Sequence, residues 1–169
     1  DRSSAASDVY KRQKNIIKYI ERYNMRGQKI NLSIVRICLS LTFLVSGISK
    51  IFNWKQMEEQ FTTKLTYWHD CLGQFSYVEK FFSFILPYVV VLLAVSILLE
   101  IIGAILISFG ISEKMGVLCL LVYLIPETLM FHHFWSLEGA GRDQELILFL
   151  KNVCIMGGLI SLLLSLIHI

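Results

Sequence analysis

The stretch of sequence that decides the fold is PYVVVLLAVSILLEIIGAILISF, Pro87–Phe109, in which Glu100 is the single charged residue. A helix needs about 20 predominantly apolar residues to cross the hydrocarbon core of a bilayer. A helix that is apolar on every face suits lipid better than the core of a small soluble protein. Because lipid offers no partner to backbone polar groups, such a run must bond its own backbone and is expected to be helical.

Three more segments share this character, so the sequence predicts four spans. They are expected at about 32–51, 82–109, 115–131 and 146–163. The chain of 169 residues is 55% hydrophobic and 17% charged, whereas soluble domains average about 45–50% apolar and about 25% charged residues. The predicted fold class is therefore all-α, an integral membrane four-helix bundle. A net charge of +3 without a basic stripe gives no reason to expect a nucleic-acid partner.

The two ends of the chain resemble translated sequencing adapter. Ser3–Gln13 read SSAASDVYKRQ and Leu164–Ile169 read LSLIHI, and their back-translations match complementary parts of one transposase adapter. Such segments are set aside before fold reasoning. We therefore expect residues 1–13 and 164–169 to be adapter-derived and residues 14–163 to form the four-transmembrane-helix domain. The alternative is a native serine-rich tail and a native apolar C-terminus.

The distribution of basic residues favours cytoplasmic termini. Six Lys and Arg residues fall on each side of the predicted spans, so their number alone does not set the orientation. The basic residues before the first span are dense, and the first helix usually dominates the orientation. These residues are Lys14, Lys18, Arg22, Arg26 and Lys29. The long connection between the first two spans mixes aromatic and charged residues, which indicates a short amphipathic or re-entrant segment at the interface.

Two charged residues inside the predicted spans are expected to pair. Arg36 lies about one turn inside the first span, and Glu100 lies about nine residues from the same end of the second. Their similar depth and opposite charge predict an Arg36–Glu100 pair in the bundle, because isolated charges in lipid are costly. Such a pair is either a proton- or ligand-responsive site or a structural clasp.

A second set of polar residues gathers near the opposite end of the spans. Its members are Lys50, Glu127, His132, His133, Lys151 and Asn152. Glu127 and Lys151 match in depth and sign, which predicts a second pair. Histidine can ligate a metal or haem or shuttle a proton, but adjacent histidines on a helix point in different directions. Since no HxxxH or ExxH spacing completes a ligand set, we expect no metal site here, and interfacial polarity is the alternative explanation.

The remaining motifs give no support for a defined reaction. The four cysteines form no CxxC pair, and three of them lie within predicted spans, where cysteine usually behaves as a small apolar residue. The loop Gly139–Gly141 lacks the strand and helix that a nucleotide site requires. The catalytic residues, if the protein has any, therefore stay unknown from the sequence.

Four short motifs stand in order along the chain. They are Arg36-Ile37-Cys38-Leu39 with Phe43–Lys50, Glu100-Ile101-Ile102-Gly103, Phe131-His132-His133-Phe134-Trp135, and Leu150-Lys151-Asn152 with Met156-Gly157-Gly158-Leu159. Together they resemble the DoxX family of small bacterial membrane proteins. The resemblance covers about 31–163. The family positions it marks coincide with the polar residues named above.

The resemblance implies a multi-pass four-helix bundle in the bacterial cytoplasmic (inner) membrane. Some members of the family are linked to thiosulfate:quinone oxidoreduction and others to membrane complexes that respond to oxidative stress. We therefore expect an accessory or quinone-linked subunit in a membrane redox or respiratory context, with the lipid bilayer and proteins of that complex as partners. The cofactor is open, a quinone being the candidate, and so is enzymatic activity. A non-catalytic scaffold or assembly protein and a small transporter are the alternatives.

Overall fold

A computed structural model describes residues 13–15, 18 and 33–165 of the chain. The chain divides into two units, Asp1–Arg36 and Ile37–Ile169, and every contact discussed below lies within the second. The described residues of the first unit are helical. The expected adapter-derived segments lie almost entirely outside the described residues, which include only Gln13 of the first and Leu164 and Ser165 of the second.

Residues 33–165 are helical along most of their length. The helices are α1 (Ser33–Phe52), α2 (Trp54–Leu72), α3 (Ser76–Ile85), α4 (Val89–Ser108), α5 (Glu113–Phe131) and α6 (Gly139–Ser165). Short 3-10 turns at Leu86–Tyr88 and Phe134–Ser136 join α3 to α4 and precede α6. No described residue lies in a β-strand.

Four helical segments are long and apolar enough to cross a membrane. They are Ser33–Phe52, Ser76–Ser108, Glu113–Ser136 and Gly139–Ser165. The predicted all-α fold with four membrane spans is therefore confirmed. The second segment is the longest because α3 and the following 3-10 turn continue into α4.

The outward surface of the spans is apolar. On α1, Ile37, Leu41 and Val45 recur at every fourth position, and each is more than half exposed. Such continuous apolar surface is rare on soluble monomers and usually marks contact with a membrane or a partner. Together with the length of the helices, it describes a multi-pass membrane protein whose outer faces meet lipid.

A close helix contact joins α4 and α5 at two glycines. A methyl group added to Gly103 would lie 2.8 Å from Leu120 Cγ and 3.0 Å from the carbonyl oxygen of Gly116. A methyl group added to Gly116 would lie 2.8 Å from the carbonyl oxygen of Gly103. Small residues at facing positions allow backbones to approach in this way, and the tight α4–α5 pair holds Glu100 and Tyr123 in place.

Replacing Gly103 by valine is therefore expected to destabilise the bundle. Overpacking a close contact costs about 1–3 kcal/mol, and here one of the obstructing atoms is backbone. Gly157→Val on α6 is the matched control, because an added Cβ at Gly157 meets nothing within 4 Å. Thermal unfolding in mild detergent should show a lower Tm for Gly103→Val only. Equal losses in the two variants would contradict the close-contact explanation.

The connection between the first two spans is helical where a short amphipathic or re-entrant segment was expected. It consists mainly of α2, a helix of 19 residues, because α3 belongs to the second spanning segment. The Trp68 indole donates a hydrogen bond to the carbonyl of Met130 at 3.1 Å, and Lys64 Nζ donates to the carbonyl of Phe131 at 3.1 Å. Helix α2 therefore docks against the end of α5 and satisfies carbonyl groups there, which a helix end otherwise leaves without an intrahelical partner.

Candidate functional site

The centre of the site is the ammonium group of Lys50, which binds three side chains. Its Nζ lies 3.0 Å from Glu100 Oε2 and 3.4 Å from Glu127 Oε1. It also donates a hydrogen bond to the Tyr123 hydroxyl and lies 4.6 Å from the centre of the Tyr123 ring. One amine from α1 thus joins a carboxylate from α4 to a carboxylate and a phenol from α5. We call these four residues the Lys50 cluster.

Local sequence explains why these side chains meet. Gly47 stands one turn before Lys50, and a methyl group there would lie 2.8 Å from Ile101 Cγ1 and 3.7 Å from Glu100 Cδ. The glycine therefore lets α1 approach α4 closely enough for Lys50 to reach Glu100. Tyr123 and Glu127 are four residues apart, so they lie on the same face of α5.

Glu100 belongs to the buried face of α4. Its side chain is 1% exposed, whereas the side chains of Lys50 and Glu127 are 16% and 22% exposed. A buried carboxylate requires a compensating partner in a low-dielectric interior. Lys50 provides that partner for Glu100 and is shared with the more accessible Glu127.

Glu127 and Tyr123 form one wall of a small polar space, which we call the polar cavity. Its volume is about 120 Å³. It is lined by Thr42, Phe43, Ser46, Glu100, Tyr123, Leu124, Glu127, His132, Lys151, Asn152 and Ile155. The cavity therefore gathers most of the polar residues singled out from the sequence along one surface.

Asn152 is fixed at the edge of this cavity by buried hydrogen bonds. Its Nδ2 donates to Thr128 Oγ1 at 3.1 Å, and the Thr128 hydroxyl donates to the carbonyl of Leu124 at 2.6 Å. The amide and the hydroxyl are both buried, so each has the partner that a buried polar group needs. This network ties α6 to α5 beside the polar cavity.

Tyr123 and Glu127 also line a larger and mostly apolar space, which we call the apolar pocket. Its volume is about 380 Å³. It is lined by Phe61, Leu65, Phe81, Phe82, Ile85, Leu92, Val95, Ser96, Leu99, Val122, Tyr123, Pro126, Glu127 and Met130. Helices α2 to α5 all contribute to it. Its ionisable lining residues are Tyr123 and Glu127, so one part of an apolar site carries convergent polar groups.

The two adjacent histidines have different surroundings. His132 Nδ1 lies 2.7 Å from Glu145 Oε2, and the imidazole also lines the polar cavity. His133 is 5% exposed and stacks on Tyr67 with ring centres 4.6 Å apart. The ring of Trp68 meets the edge of His133 at 6.0 Å. His133 therefore packs the segment that follows α5 against α2, whereas His132 is the histidine at the polar cavity.

One ion pair differs from the pair expected from depth alone. Glu127 was expected to pair with Lys151, but Lys50 holds its carboxylate, and Lys151 is an exposed residue that lines the same cavity. Glu100 likewise binds Lys50. Arg36 is half-buried and belongs to the first unit, so its pairing with Glu100 stays a prediction. The expected Glu127–Lys151 pair does not form because depth specifies a position along the membrane normal but not the direction in which a side chain points.

Three residues of the site were not identified from the sequence. They are Tyr123, Thr128 and Glu145. A tyrosine four residues before Glu127 on the same helix face is the signal that could have found Tyr123. Glu145 lies thirteen residues from His132 across the α5–α6 connection, and no local spacing marks such a contact.

The described part of the chain contains no group of three His, Cys, Asp or Glu side chains arranged to hold a metal ion. Cys38, Cys71, Cys119 and Cys154 are free thiols. The chemistry that the described side chains offer is therefore hydrogen bonding and proton transfer by carboxyl, phenol, amine and imidazole groups around two spaces that share lining residues.

Comparison with known proteins gives one match. The family model described as DoxX matches residues 31–133, a segment that contains α1 to α5 with Lys50, Glu100, Tyr123 and Glu127. No curated protein and no solved structure matched the chain. Because the matched segment covers more than half of the chain, the protein belongs to the DoxX family.

Proposed function

We propose that this DoxX-family protein binds a membrane quinone in the apolar pocket and acts as a quinone-linked accessory subunit of a membrane redox complex. The observation that carries the proposal is the apolar pocket itself, about 380 Å³ in volume, with Tyr123 and Glu127 in its lining. Ligand pockets usually have volumes of about 300–1,000 Å³ and combine apolar walls with a few orienting polar groups.

A quinone matches both parts of this pocket. Its ring and isoprenoid tail are apolar, and burying apolar surface favours binding by about 25 cal/mol per Å². Its two carbonyl oxygens accept hydrogen bonds, and the Tyr123 hydroxyl is a suitable donor at the polar part of the lining. The Lys50 ammonium, which contacts both Tyr123 and Glu127, places a positive charge next to the carbonyl position.

The Lys50 cluster also offers the protons that quinone chemistry requires. Reduction of one quinone to hydroquinone consumes two electrons and two protons. The carboxyl of Glu127 and the phenol of Tyr123 can exchange protons with the quinone oxygens as general acids and bases. The electrons must come from a partner oxidoreductase, which is the protein partner that we propose for this subunit.

We further propose that the protein resides in the bacterial cytoplasmic membrane with both termini in the cytoplasm. Support comes from the four spanning segments, an even number that returns the chain to its starting side, and from the basic residues that precede α1. Basic residues close to the first helix favour retention on the cytoplasmic side.

Filling the pocket should weaken quinone binding. Leu99 lines the apolar pocket, so Leu99→Trp places an indole where the quinone ring would lie. We expect the Kd for a short-tailed quinone, measured by titration calorimetry in lipid nanodiscs, to rise at least about tenfold, which corresponds to about 1.4 kcal/mol. The matched control is Leu98→Trp, because Leu98 is 55% exposed and faces away from the pocket lining.

Two results would contradict the quinone proposal. One is saturable binding that Leu98→Trp and Leu99→Trp weaken equally, since the ligand would then occupy the outer surface. The other is a wild-type protein that retains phospholipid acyl chains in the pocket and binds no added quinone. Mass spectrometry of the molecules extracted with the purified protein distinguishes a retained quinone from a retained lipid.

A further inference from the structure

Three spaces in the protein share lining residues. The third, after the apolar pocket and the polar cavity, is a polar groove of about 560 Å³. The groove is lined by Gln56, Glu59, Gln60, Thr63, Lys64, Phe131, His132 and Glu145. His132 lines both the polar groove and the polar cavity. Tyr123 and Glu127 line both the polar cavity and the apolar pocket.

The residue shared by the groove and the cavity is one that can carry a proton. His132 Nδ1 lies 2.7 Å from Glu145 Oε2, and the two side chains are 17% and 26% exposed. A carboxylate at one ring nitrogen orients an imidazole and leaves the other nitrogen available. Because an imidazole can accept a proton at one nitrogen and release it from the other, His132 can connect the two spaces that it lines.

The space between His132 and the Lys50 cluster is suited to proton transfer. The polar cavity has a volume of about 120 Å³, which is room for more than one water molecule when each needs about 30 Å³. Its walls carry Asn152, Glu127 and Glu100, whose oxygen and nitrogen atoms can hold a hydrogen-bonded chain. No apolar helix layer separates His132 from Glu127, since both line this one cavity.

We propose that His132, in contact with Glu145, transfers protons between the polar groove and Glu127 at the apolar pocket. We call this role of His132 the proton port. The inference rests on the proposed quinone function, since it specifies how protons reach that pocket. When a bound quinone receives two electrons from the partner oxidoreductase, two protons pass one after the other from the polar groove by way of Glu145 to His132. They cross the polar cavity to Glu127, which donates them to the quinone oxygens. Oxidation of a bound hydroquinone releases two protons, which follow the same path in the opposite direction.

The charged and titratable groups around this path come from five helices. They are Lys50 of α1, Glu59 and Lys64 of α2, Glu100 of α4, Tyr123 and Glu127 of α5, and Glu145 and Lys151 of α6. Each of the two spaces that His132 lines contains an ammonium group and two carboxylates, so neither is lined by positive charge alone. A proton can therefore approach without meeting a continuous block of positive charge.

The test uses the whole protein in nanodiscs loaded with a short-tailed hydroquinone. Ferricyanide serves as the oxidant, and each hydroquinone gives two electrons to two ferricyanide ions and releases two protons. We expect His132→Ala to slow this oxidation at least about tenfold, since a positioned acid–base group contributes about 10²–10⁴-fold to proton transfer. Added imidazole, which fits the space left by the ring, should restore most of the rate.

His69→Ala is the matched control, because His69 pairs with Asp70 at 3.1 Å on α2 and lines none of the three spaces. Its oxidation rate should equal that of the wild type. A His132→Ala rate equal to the wild-type rate would contradict proton transfer by His132. So would a slow His132→Ala rate that imidazole does not raise, since His132 would then act only as a structural link between α5 and α6.

Failure of the port is distinguishable from failure of the quinone proposal. Hydroquinone affinity is measured first, on the wild type and on His132→Ala. Absence of binding by the wild type contradicts the proposed function itself. Equal binding by both proteins, followed by equal oxidation rates, contradicts only the proton port.

Discussion

Replacing Lys50 by methionine is expected to lower the free energy of unfolding by about 3–5 kcal/mol, the cost of breaking a buried ion pair by removing one partner. The reason is Glu100, whose side chain is 1% exposed and lies 3.0 Å from the Lys50 amine. Without Lys50, this carboxylate stays buried and loses its cation. Unfolding of the purified protein by SDS titration in mixed micelles measures the loss.

A double-mutant cycle separates the ion pair from the packing of the two side chains. In Lys50→Met/Glu100→Leu both charges are gone, and we expect this variant to be more stable than Lys50→Met alone, because contacting residues are strongly non-additive. Lys55→Met on α2 is the matched control, since Lys55 is exposed and surface substitutions usually change stability by less than about 0.5 kcal/mol. A Lys50→Met variant as stable as Lys55→Met would contradict the pairing.

The same cycle separates a quinone site from a structural scaffold. If the Lys50–Glu100 pair only fixes helix packing, the stable double variant should bind quinone as the wild type does. We expect it instead to bind more weakly, because the Lys50 amine contacts both Tyr123 and Glu127, which line the apolar pocket. Wild-type affinity in the double variant would favour the scaffold alternative.

The four spans could be predicted because the hydrophobic character of each residue, taken by itself, indicates a span. Every position of Pro87–Phe109 except Glu100 is uncharged, and a lipid-exposed helix tolerates little else. Such a requirement can be read from one sequence without knowing what each residue contacts. The DoxX resemblance rested on the same segments, and the family match over 31–133 confirms it.

For helix α2 the sequence predicted only a short amphipathic or re-entrant segment, because this helix is amphipathic rather than apolar. Leu65 is its single buried residue, and its contacts with α5 run through Trp68 and Lys64. Charged residues on its other face lower its mean hydropathy below that of a span. Only the three-dimensional arrangement shows that this helix covers the apolar pocket, to which Phe61 and Leu65 contribute.

The composition of the Lys50 cluster shows the limit of reasoning from depth. The sequence places Lys50 at one end of α1 and Glu100 well inside α4, which suggested two separate charged sets. The lysine side chain is long and flexible. Gly47 has no side chain that would collide with Ile101, so α1 can lie close to α4. Lys50 therefore reaches Glu100 and Glu127 together and joins the two sets into one.

Glu127→Gln is expected to slow oxidation of bound hydroquinone by about 100-fold, within the range of about 10²–10⁴ that general acid–base groups contribute. Glu127 is the carboxylate that lines both the apolar pocket and the polar cavity, so it is placed to accept the proton that hydroquinone releases. Glutamine keeps the size of the side chain and can still accept a hydrogen bond from Lys50, but it cannot carry a proton. The ferricyanide assay in nanodiscs measures the rate.

Binding and stability should change much less than the rate. The Glu127 side chain is 22% exposed and 3.4 Å from Lys50, so its charge is less dependent on pairing than that of Glu100. We expect a Tm close to that of the wild type and a Kd for hydroquinone within about threefold, or about 0.7 kcal/mol. Glu79→Gln on α3 is the matched control, since Glu79 is exposed and lines neither space.

The pattern of losses decides what Glu127 does. A fall in the oxidation rate at unchanged affinity supports proton transfer by this carboxylate, because only the step that moves a proton has been impaired. A large rise in Kd with an unchanged rate at saturation would instead make Glu127 a binding group. An unchanged rate and an unchanged Kd would contradict the placement of the quinone oxygens beside Glu127, even if Leu99→Trp still weakened binding. The quinone ring would then have to lie toward α3, away from the Lys50 cluster.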